Sequence, residues 1–380
     1  MKYSLIKRVL INGVMVLSIS SSLFFSSQST ISAKAAAYSV TPESGVLLSC
    51  LGTEVFSDAD PATYVTTIKS NTPVNVIGRT SNGFWQVDVN GTPYYISQRA
   101  LSISPNTTAY KLTSFDAKAA LVANASNGKL IYTQSALDRL EPASTTKIMT
   151  ALLVIEAIEA GQISLETPVM VSNTALASLP SDASHVNPRL TAGEVLNVDQ
   201  LLTAMMVSSD CQACNVLAEL VAGSVPNFVA MMNAKAAAIG CVDTNFTNPS
   251  GYPDTKMYTN AYSLYAITLN AISHPLFNQY FNKGTAVLPA TNLCATPRAL
   301  TSTDSLMDVN SSYYNPTVIG GKTGSANRAG QCLVSVAQAQ GKTVISVVLG
   351  ATNRTMFDGS RVSMRYAETN RLINLGFANY

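Results

Sequence analysis

Hydrophobic and polar positions alternate in short runs over residues 38–104, and this pattern predicts a region of β-strands. Asn90-Gly91 lies between two of these runs, and Asn-Gly is a strong hairpin signal. Trp85, the only tryptophan in the chain, shares one face of a predicted strand with Val87. The predicted strands cover 72–78, 84–89 and 93–97. The pattern therefore predicts a small all-β domain over 38–104.

Beyond a linker at 105–108, strands and helices alternate along the chain. Apolar residues at helical spacing predict a helix over 145–160, which Gly161 ends. Helices between N-terminal and C-terminal strands favour one α+β domain over 105–380, whose sheet uses both ends of this region. The other predicted elements are strands at 119–125, 130–133, 331–337 and 344–351, helices at 198–221 and 361–375, and a loop at 178–188.

Residues 1–37 have the organisation of a secretory signal peptide. Basic residues precede an apolar run over 9–25, and the small-residue stretch Ala33-Lys34-Ala35-Ala36-Ala37 follows. An uncleaved membrane anchor is the alternative, but the run is short and interrupted for a spanning helix. Cleavage near Ala37 would remove four basic and no acidic residues, so the net charge would fall from +2 to −2 (+2 − 4). We expect a secreted protein, associated with the cell wall and without a stable membrane span.

Composition excludes several classes of function. Only 12% of the residues are charged and the net charge is +2, so nothing predicts a nucleic-acid partner. His185 and His274 are the only histidines, too few for a His-rich zinc centre and little basis for histidine catalysis. Cys211 and Cys214 form a lone C-x-x-C among six cysteines, for which free buried thiols are a better interpretation than zinc or a disulfide framework. We expect no metal and no cofactor.

Ser144 and Lys147 are the first residues that indicate chemistry. They stand three positions apart at the start of a predicted helix, so the hydroxyl and the amine can meet on one face. A serine becomes nucleophilic when a neighbouring base takes its proton, and a lysine can be that base when burial or a second cation lowers its pKa. The helix start would also offer backbone N–H groups to a developing oxyanion. Taken alone, the pair is better interpreted as an N-cap serine with a solvated lysine.

The second signal is Gly320-Gly321-Lys322-Thr323-Gly324-Ser325, just before the predicted strand at 331–337. Glycines allow close approach of a ligand to the backbone, and Lys322 with Thr323 could hold a carboxylate. A phosphate-binding loop is the competing interpretation. It would require glycine at position 316, which is Pro316, and a helix after the motif, so we reject it.

S-x-x-K followed by K-T-G is the joint signature of serine enzymes that react with penicillin. Together with EPASTTKIMTALLVIE, NPSGY, GGKTGSANRAGQCLVSVA and LINLGFANY, it makes residues 110–380 resemble low-molecular-mass D-alanyl-D-alanine carboxypeptidases. The resemblance implies an antiparallel sheet with flanking helices joined to a helical subdomain, the β-lactamase/D,D-peptidase-like fold. The string SNGFWQVDVNGTPYYISQRAL resembles a bacterial Src-homology-3-like barrel, which implies either cell-wall binding or a packing spacer.

The resemblance also implies roles for individual residues. Ser144 would be the acylated nucleophile and Lys147 its base, while Lys322 would favour the neutral form of Lys147. Lys322 and Thr323 would bind the terminal carboxylate of the substrate. Gly324 belongs to the same K-T-G motif, and the backbone N–H groups of Ser144 and Ser325 would form the oxyanion hole.

The middle motif of the family, S-x-N, aligns with Ser209-Asp210-Cys211. Ser209 would pass a proton to the leaving amine, but Cys211 stands where the family has asparagine. A thiol is only a weak donor and acceptor, so substrate positioning and deacylation are in question. Some relatives that resemble strict transpeptidases also carry cysteine here. A reactive Cys211 nucleophile is a minor alternative.

We therefore expect a penicillin-sensitive serine D,D-carboxypeptidase that removes the terminal D-alanine from peptidoglycan stem peptides. Its partners would be stem peptides that end in D-Ala-D-Ala, with β-lactams as inhibitors. A D,D-transpeptidase is the nearest alternative, because of Cys211. A catalytically impaired wall-binding protein and a β-lactamase are the others. Intact Ser144, Lys147 and Lys322 argue against the wall-binding protein, and the flanking strings that resemble cell-wall enzymes argue against the β-lactamase.

Overall fold

The computed structural model describes residues 8–11, 14–17, 38–49, 53–68, 73–97, 101–103, 115–355 and 361–380. Strands β1 (Arg8–Ile11) and β2 (Val14–Leu17) pair antiparallel. The rest of the predicted signal peptide, the linker at 105–108 and Cys50 lie outside the described residues. The chain divides into two compact units, of which the first comprises Met1–Ser114 with Thr355–Val362 and the second Phe115–Arg354 with Ser363–Tyr380.

The first unit contains a seven-stranded antiparallel sheet. Its strands are β3 (Val40–Ser49), β4 (Thr53–Phe56), β5 (Tyr64–Ile68), β6 (Pro73–Thr80), β7 (Phe84–Val89), β8 (Thr92–Ser97) and β9 (Leu101–Ile103). Their order in the sheet is β5-β4-β8-β7-β6-β3-β9. The three strands that the sequence predicts here are confirmed, and Asn90-Gly91 forms the turn between β7 and β8 with positive φ at both residues. Trp85, Val87 and Ile96 are buried in the core of this unit.

The second unit is built on a five-stranded antiparallel sheet of order β11-β10-β18-β17-β16. The unit's strands, in chain order, are β10 (Ala119–Asn124), β11 (Leu130–Gln134), β12 (Pro168–Met170), β13 (Val195–Asn197), β14 (Thr285–Leu288), β15 (Arg298–Thr301), β16 (Val318–Ala326), β17 (Gly330–Ala339) and β18 (Lys342–Ala351). Two short strands, β19 (Asn353–Thr355) and β20 (Arg361–Ser363), include residues that the division assigns to the first unit. The prediction that both ends of this region share one sheet is confirmed, because β10 pairs with β18.

In the described part of the chain, this unit also contains eight α-helices. They are α1 (Lys147–Glu159), α2 (Asn173–Ala177), α3 (Val198–Val207), α4 (Cys211–Ala222), α5 (Val225–Ile239), α6 (Ala261–Ile272), α7 (Pro275–Phe281) and α8 (Met364–Ala378). Helices α6 and α8 contact the sheet, and α1 contacts α3, α4, α5, α6 and α7. Apolar side chains of α1, including Ile148, Leu152 and Ile155, are fully buried in the main core. The start of α1 is thus held firmly against both the sheet and the helical part.

The predicted helix over 198–221 is wrong, because the structure has two helices there. Helix α3 ends at Val207, Ser209 has a φ of 60°, and Asp210 is the N-cap of α4. A positive φ cannot continue a right-handed helix, so the chain must begin a new one. Two smaller differences concern helix starts: a 3-10 turn, Ala143–Thr146, precedes α1, and α8 begins at Met364 rather than at 361.

Within the described residues, no single helix is long and apolar enough to cross a membrane. Only α4 and α5 taken together pass such a test by length and composition, with an 84° bend between them.

Candidate active site

Ser144 and Lys147 come together at the N-terminal end of α1, as their spacing predicts. The Lys147 Nζ lies 2.9 Å from the Ser144 Oγ, and it donates a hydrogen bond to the Ser250 carbonyl oxygen at 2.7 Å. Lys147 is fully buried, whereas Ser144 is half-buried and open to the cleft. A neutral amine has two N–H groups and one lone pair. With one N–H on Ser250, the lone pair can turn to the serine hydroxyl, which is the arrangement that a general base requires.

Lys322 reaches the same cleft from β16, the edge strand of the sheet. Its Nζ donates to the Ser209 Oγ at 3.1 Å and to the Thr323 carbonyl oxygen at 3.1 Å. Burial, together with the nearby charge of Lys147, lowers the pKa of Lys322 to about 7. The site therefore holds two buried amines, and the charge of Lys147 disfavours a charge on Lys322.

Ser209 and Cys211 enter the cleft at the break between α3 and α4. The Cys211 Sγ lies 3.5 Å from the Lys147 Nζ, so a thiol occupies the place beside the amine. Asp210 stabilises the break, because its carboxylate accepts from the backbone N–H groups of Ala213 at 2.7 Å and Val186 at 2.6 Å. Burial raises the pKa of the Asp210 carboxyl. The same break that contradicts the predicted helix brings Ser209 to Lys322 and Cys211 to Lys147.

Thr323, Gly324 and Ser325 continue β16 past Lys322. The Thr323 hydroxyl forms a hydrogen bond with the Thr303 hydroxyl. A Cβ at Gly324 would lie 3.0 Å from the Ser144 backbone nitrogen, so the strand packs directly against the turn that carries Ser144. Ser325 is exposed. The structure thus brings all eight residues singled out in the sequence to one cleft.

The loop Asn248-Pro249-Ser250-Gly251 belongs to the site, although sequence reasoning gave it no role. The Asn248 Oδ1 accepts hydrogen bonds from the backbone N–H groups of Ser250, Gly251 and Tyr252 at 3.2, 2.8 and 3.0 Å. This tight turn holds the Ser250 carbonyl on Lys147. A Cβ at Gly251 would overlap the Ala143 carbonyl, so glycine is required there. The string NPSGY was visible in the sequence, but only the fold shows what it touches.

Arg365, from α8, is the other residue that sequence reasoning missed. Its guanidinium donates to the Gly324 carbonyl oxygen at 3.1 Å and to the Ser325 Oγ at 2.9 Å. It adds a positive charge at the Thr323 end of the cleft. No local pattern identifies it, because it is 40 residues from Ser325 in a helix with ordinary composition.

Among the described residues, no three His, Cys, Asp or Glu side chains are grouped to hold a metal ion. Cys211, Cys214, Cys241, Cys294 and Cys332 are free thiols. His185 has its Nδ1 2.7 Å from the Val186 carbonyl oxygen, and His274 pairs with Glu159 at 2.7 Å.

Three kinds of comparison with known proteins agree with this geometry. The D-alanyl-D-alanine carboxypeptidase family matches residues 105–353. The D-alanyl-D-alanine carboxypeptidase DacF of Bacillus subtilis strain 168 is 29% identical over 265 residues, which are 70% of this chain and 63% of that protein. DacC of Escherichia coli K12, of the same description, is 31% identical over 275 residues, 70% of this chain and 62% of that protein. The chain therefore matches less than two thirds of the length of these two relatives.

Among solved structures, the DD-transpeptidase of Streptomyces K15 superposes with a TM-score of 0.60 at 27% identity, covering 71% of this chain and all of that one. Penicillin-binding protein D2 of Listeria monocytogenes, in its cefotaxime-bound form, gives a TM-score of 0.59 at 27% identity, covering 70% of this chain and all of that one. The fold is therefore the mixed α/β penicillin-binding fold with antiparallel sheets and helices. On the family match and the shared fold, the chain belongs to the D-alanyl-D-alanine carboxypeptidase family.

Proposed function

We propose that the protein is a serine D,D-carboxypeptidase that cleaves the terminal D-alanine from peptidoglycan stem peptides. The contact that supports this most directly is the 2.9 Å approach of the buried Lys147 amine to the Ser144 hydroxyl. A fully buried lysine beside an accessible serine has little structural purpose, since burying an amine costs free energy. The match to the D-alanyl-D-alanine carboxypeptidase family indicates the reaction in which this pair would act.

Acylation would proceed at Ser144. Lys147 takes the hydroxyl proton as the Oγ attacks the carbonyl carbon of the penultimate D-alanine, and the carbonyl oxygen becomes an oxyanion held by the backbone N–H groups of Ser144 and Ser325. Collapse of this intermediate breaks the peptide bond. Ser209 gives its hydroxyl proton to the departing amine, and the proton that Lys147 took from Ser144 replaces it, so that D-alanine leaves, an ester remains on Ser144 and Lys147 is neutral again.

The carboxylate of the substrate would bind at the end of β16 that also carries Ser325. Thr323 and Lys322 supply a hydroxyl and a charge, and Arg365 adds a second cation at the same end. Water then attacks the ester, with Lys147 again accepting a proton, and the shortened peptide leaves with a free carboxylate. This sequence uses two protonatable amines in one cleft, one as base and one as anion binder.

A penicillin reacts with the same machinery and gives a direct test. Mass spectrometry after incubation with benzylpenicillin should show a stable adduct on the wild-type protein and none on Ser144→Ala. Release of D-alanine from a D-Ala-D-Ala peptide should disappear in the same variant. An adduct that persists in Ser144→Ala would refute the assignment, and rapid turnover of the adduct would indicate a β-lactamase.

A D,D-transpeptidase is the second candidate, and Cys211 is the observation that favours it. The thiol next to Lys147 replaces an amide that could position the substrate for attack by water. The acyl-enzyme would then last long enough for an amine acceptor to take the acyl group. Incubation with a pentapeptide and glycylglycine separates the two activities, since hydrolysis gives a free acid and transfer gives an amide. A protein that binds wall material but neither acylates nor cleaves would be an impaired relative.

We further propose that residues 1–37 are a cleaved signal peptide and that the first unit is a Src-homology-3-like domain that associates the secreted enzyme with the cell wall. The seven-stranded antiparallel sheet and its aromatic cluster support a small β-barrel. N-terminal sequencing of the protein from the culture medium tests the first proposal. Co-sedimentation of the isolated catalytic part and the longer mature chain with purified sacculi tests the second, because only the longer chain should pellet.

A further inference from the structure

The candidate cleft has a positive end at which a substrate carboxylate would bind. Lys322, Thr323 and Arg365 gather there, on or beside β16. Two segments that are far apart in sequence also adjoin the catalytic groups. One is the turn that carries Ser250, and the other is the loop before α3 that contains Asp182 and Ser184.

Backbone contacts fix both segments against the catalytic groups. The Cys211 backbone N–H donates to the Ser184 carbonyl oxygen at 2.8 Å, and the Ser250 carbonyl accepts from Lys147 at 2.7 Å. The Tyr252 hydroxyl then joins the two segments, because it donates to the Asp182 Oδ1 at 2.7 Å. A carboxylate that a neighbouring tyrosine holds in place therefore lies on the segments that contact Lys147 and Cys211.

Asp182 has no evident structural duty. It is exposed, and within the described residues the Tyr252 hydroxyl is the only side-chain partner of its carboxylate, so Oδ2 is open to solvent. Arg189 lies nearby but donates to the Ser181 carbonyl instead. By contrast, Glu141 pairs with Arg328 at 2.6 Å and Asp210 is buried on backbone N–H groups. An exposed carboxylate that is fixed through one oxygen and free at the other is suited to bind a cation.

We propose that Asp182 is a specificity-determining residue that binds the side-chain ammonium of a diamino acid preceding the D-alanines of the stem peptide. This rests on the proposed function. A peptide whose terminal carboxylate lies at Thr323 and whose scissile carbonyl lies at Ser144 extends its preceding residue away from the carboxylate end. The cations Lys322 and Arg365 and the anion Asp182 around the site match a substrate with an anionic terminus and a cationic side chain.

The test compares two peptides that differ only in this charge. Nα-acetyl-L-Lys-D-Ala-D-Ala carries the ammonium, and Nα,Nε-diacetyl-L-Lys-D-Ala-D-Ala lacks it. Release of D-alanine is measured with glycylglycine present, so that hydrolysis and transfer both report. For an exposed ion pair we expect wild type to prefer the cationic peptide about two- to fivefold in kcat/KM, through KM. The preference should shrink as salt rises from about 0.05 to about 0.5 M.

Asp182→Asn should abolish this preference by raising KM for the cationic peptide alone, because the amide oxygen can still accept from Tyr252. Tyr252→Phe keeps the charge but releases the side chain, and should retain part of the preference. Asp254→Asn is the matched control: it removes the same charge from the Tyr252 loop, its side chain accepts only a backbone N–H, and the preference should persist.

Two results would overturn the inference. One is a wild-type enzyme with equal kcat/KM for the two peptides. The other is an Asp182→Asn variant whose kcat/KM falls by the same factor for both peptides. If wild type releases no D-alanine from either peptide and forms no adduct with benzylpenicillin, the proposed function itself has failed, and the inference fails with it.

Discussion

Replacing Gly324 by alanine tests whether the contact between β16 and the turn of Ser144 sets the rate of acylation. The new Cβ would lie 2.9 Å from the Pro142 carbonyl oxygen and 3.0 Å from the Ser144 backbone nitrogen, whereas ordinary contacts begin at 3.4 Å. The strand and the turn must therefore separate by 0.4–0.5 Å (3.4 − 3.0 and 3.4 − 2.9). The Pro142 carbonyl yields little, because it already accepts from the Thr145 hydroxyl at 2.7 Å and from its backbone N–H at 3.3 Å.

This separation would move apart the two backbone N–H groups that are proposed to form the oxyanion hole. A misplacement of about 1 Å costs roughly a hundredfold in rate, so about half an ångström should cost roughly tenfold, or about 1.4 kcal/mol of transition-state stabilisation. Overpacking at such a contact should also lower the free energy of unfolding by about 1–3 kcal/mol. The loss of rate should exceed what unfolding explains, because the variant remains folded at room temperature.

The assay is the second-order rate of acylation by a fluorescent penicillin, with folded protein quantified by circular dichroism. Gly284→Ala is the matched control, because a Cβ there meets no atom within 4 Å and its φ is not in the left-handed region. It should acylate as wild type does. If Gly324→Ala acylates within about twofold of Gly284→Ala, the strand contact does not set the rate, and the reasoning from the Cβ distances is wrong.

Three further predictions concern the residues around this contact. Because Lys322 has a lowered pKa of about 7, wild type should gain stability as pH rises from 7 to 9, when the unfolded chain still holds a proton that the folded one has lost. Lys322→Met should therefore have a higher free energy of unfolding than wild type at pH 6, as measured by urea unfolding. The difference between the two free energies should shrink by about 1.4 kcal/mol per pH unit above pH 7, and a difference that stays constant with pH would contradict this. Cys211→Asn restores an amide beside Lys147 and should raise kcat/KM for D-alanine release by about two- to tenfold, the value of one hydrogen bond; an unchanged or lower value would count against a positioning role. Asp210→Ala removes the cap of α4 and leaves the Val186 N–H unpaired, so calorimetry should show a loss of about 2–4 kcal/mol, and a neutral result would mean that water replaces the carboxylate.

The elements that sequence predicted well are those with local causes. The hairpin of β7 and β8 follows from Asn90-Gly91 and the alternation around it, and α1 follows from apolar residues at helical spacing. The Ser144–Lys147 contact is of the same kind, because three positions on a helical turn bring two side chains together. In each case the residues that decide the structure are neighbours along the chain.

The helix break at Ser209 and the strand β16 show where this reasoning stops. Residues 198–221 have continuous helical periodicity, but the Asp210 carboxylate binds the Val186 N–H, 24 positions away, and caps a new helix instead. Strand β16 contains Gly320, Gly321 and Gly324, which carry no β-propensity. It forms a strand because its backbone pairs with β17, and glycine suits it because other groups pack where side chains would stand.

The sequence by itself determined which chemical groups this protein can use. They are a serine followed three residues later by a lysine, a K-T-G motif, and a cysteine in place of an asparagine, and two histidines offer little basis for histidine catalysis. Only the tertiary structure decided what those groups touch. Lys147 meets Cys211 and Ser250 across 64 and 103 residues, and Lys322 meets Ser209 across 113. Such contacts arise when packed helices and a sheet bury the intervening chain, so their energies depend on the whole core. The role proposed for Asp182 also depends on the tertiary structure, because Tyr252, which holds its carboxylate, is 70 residues away in the chain.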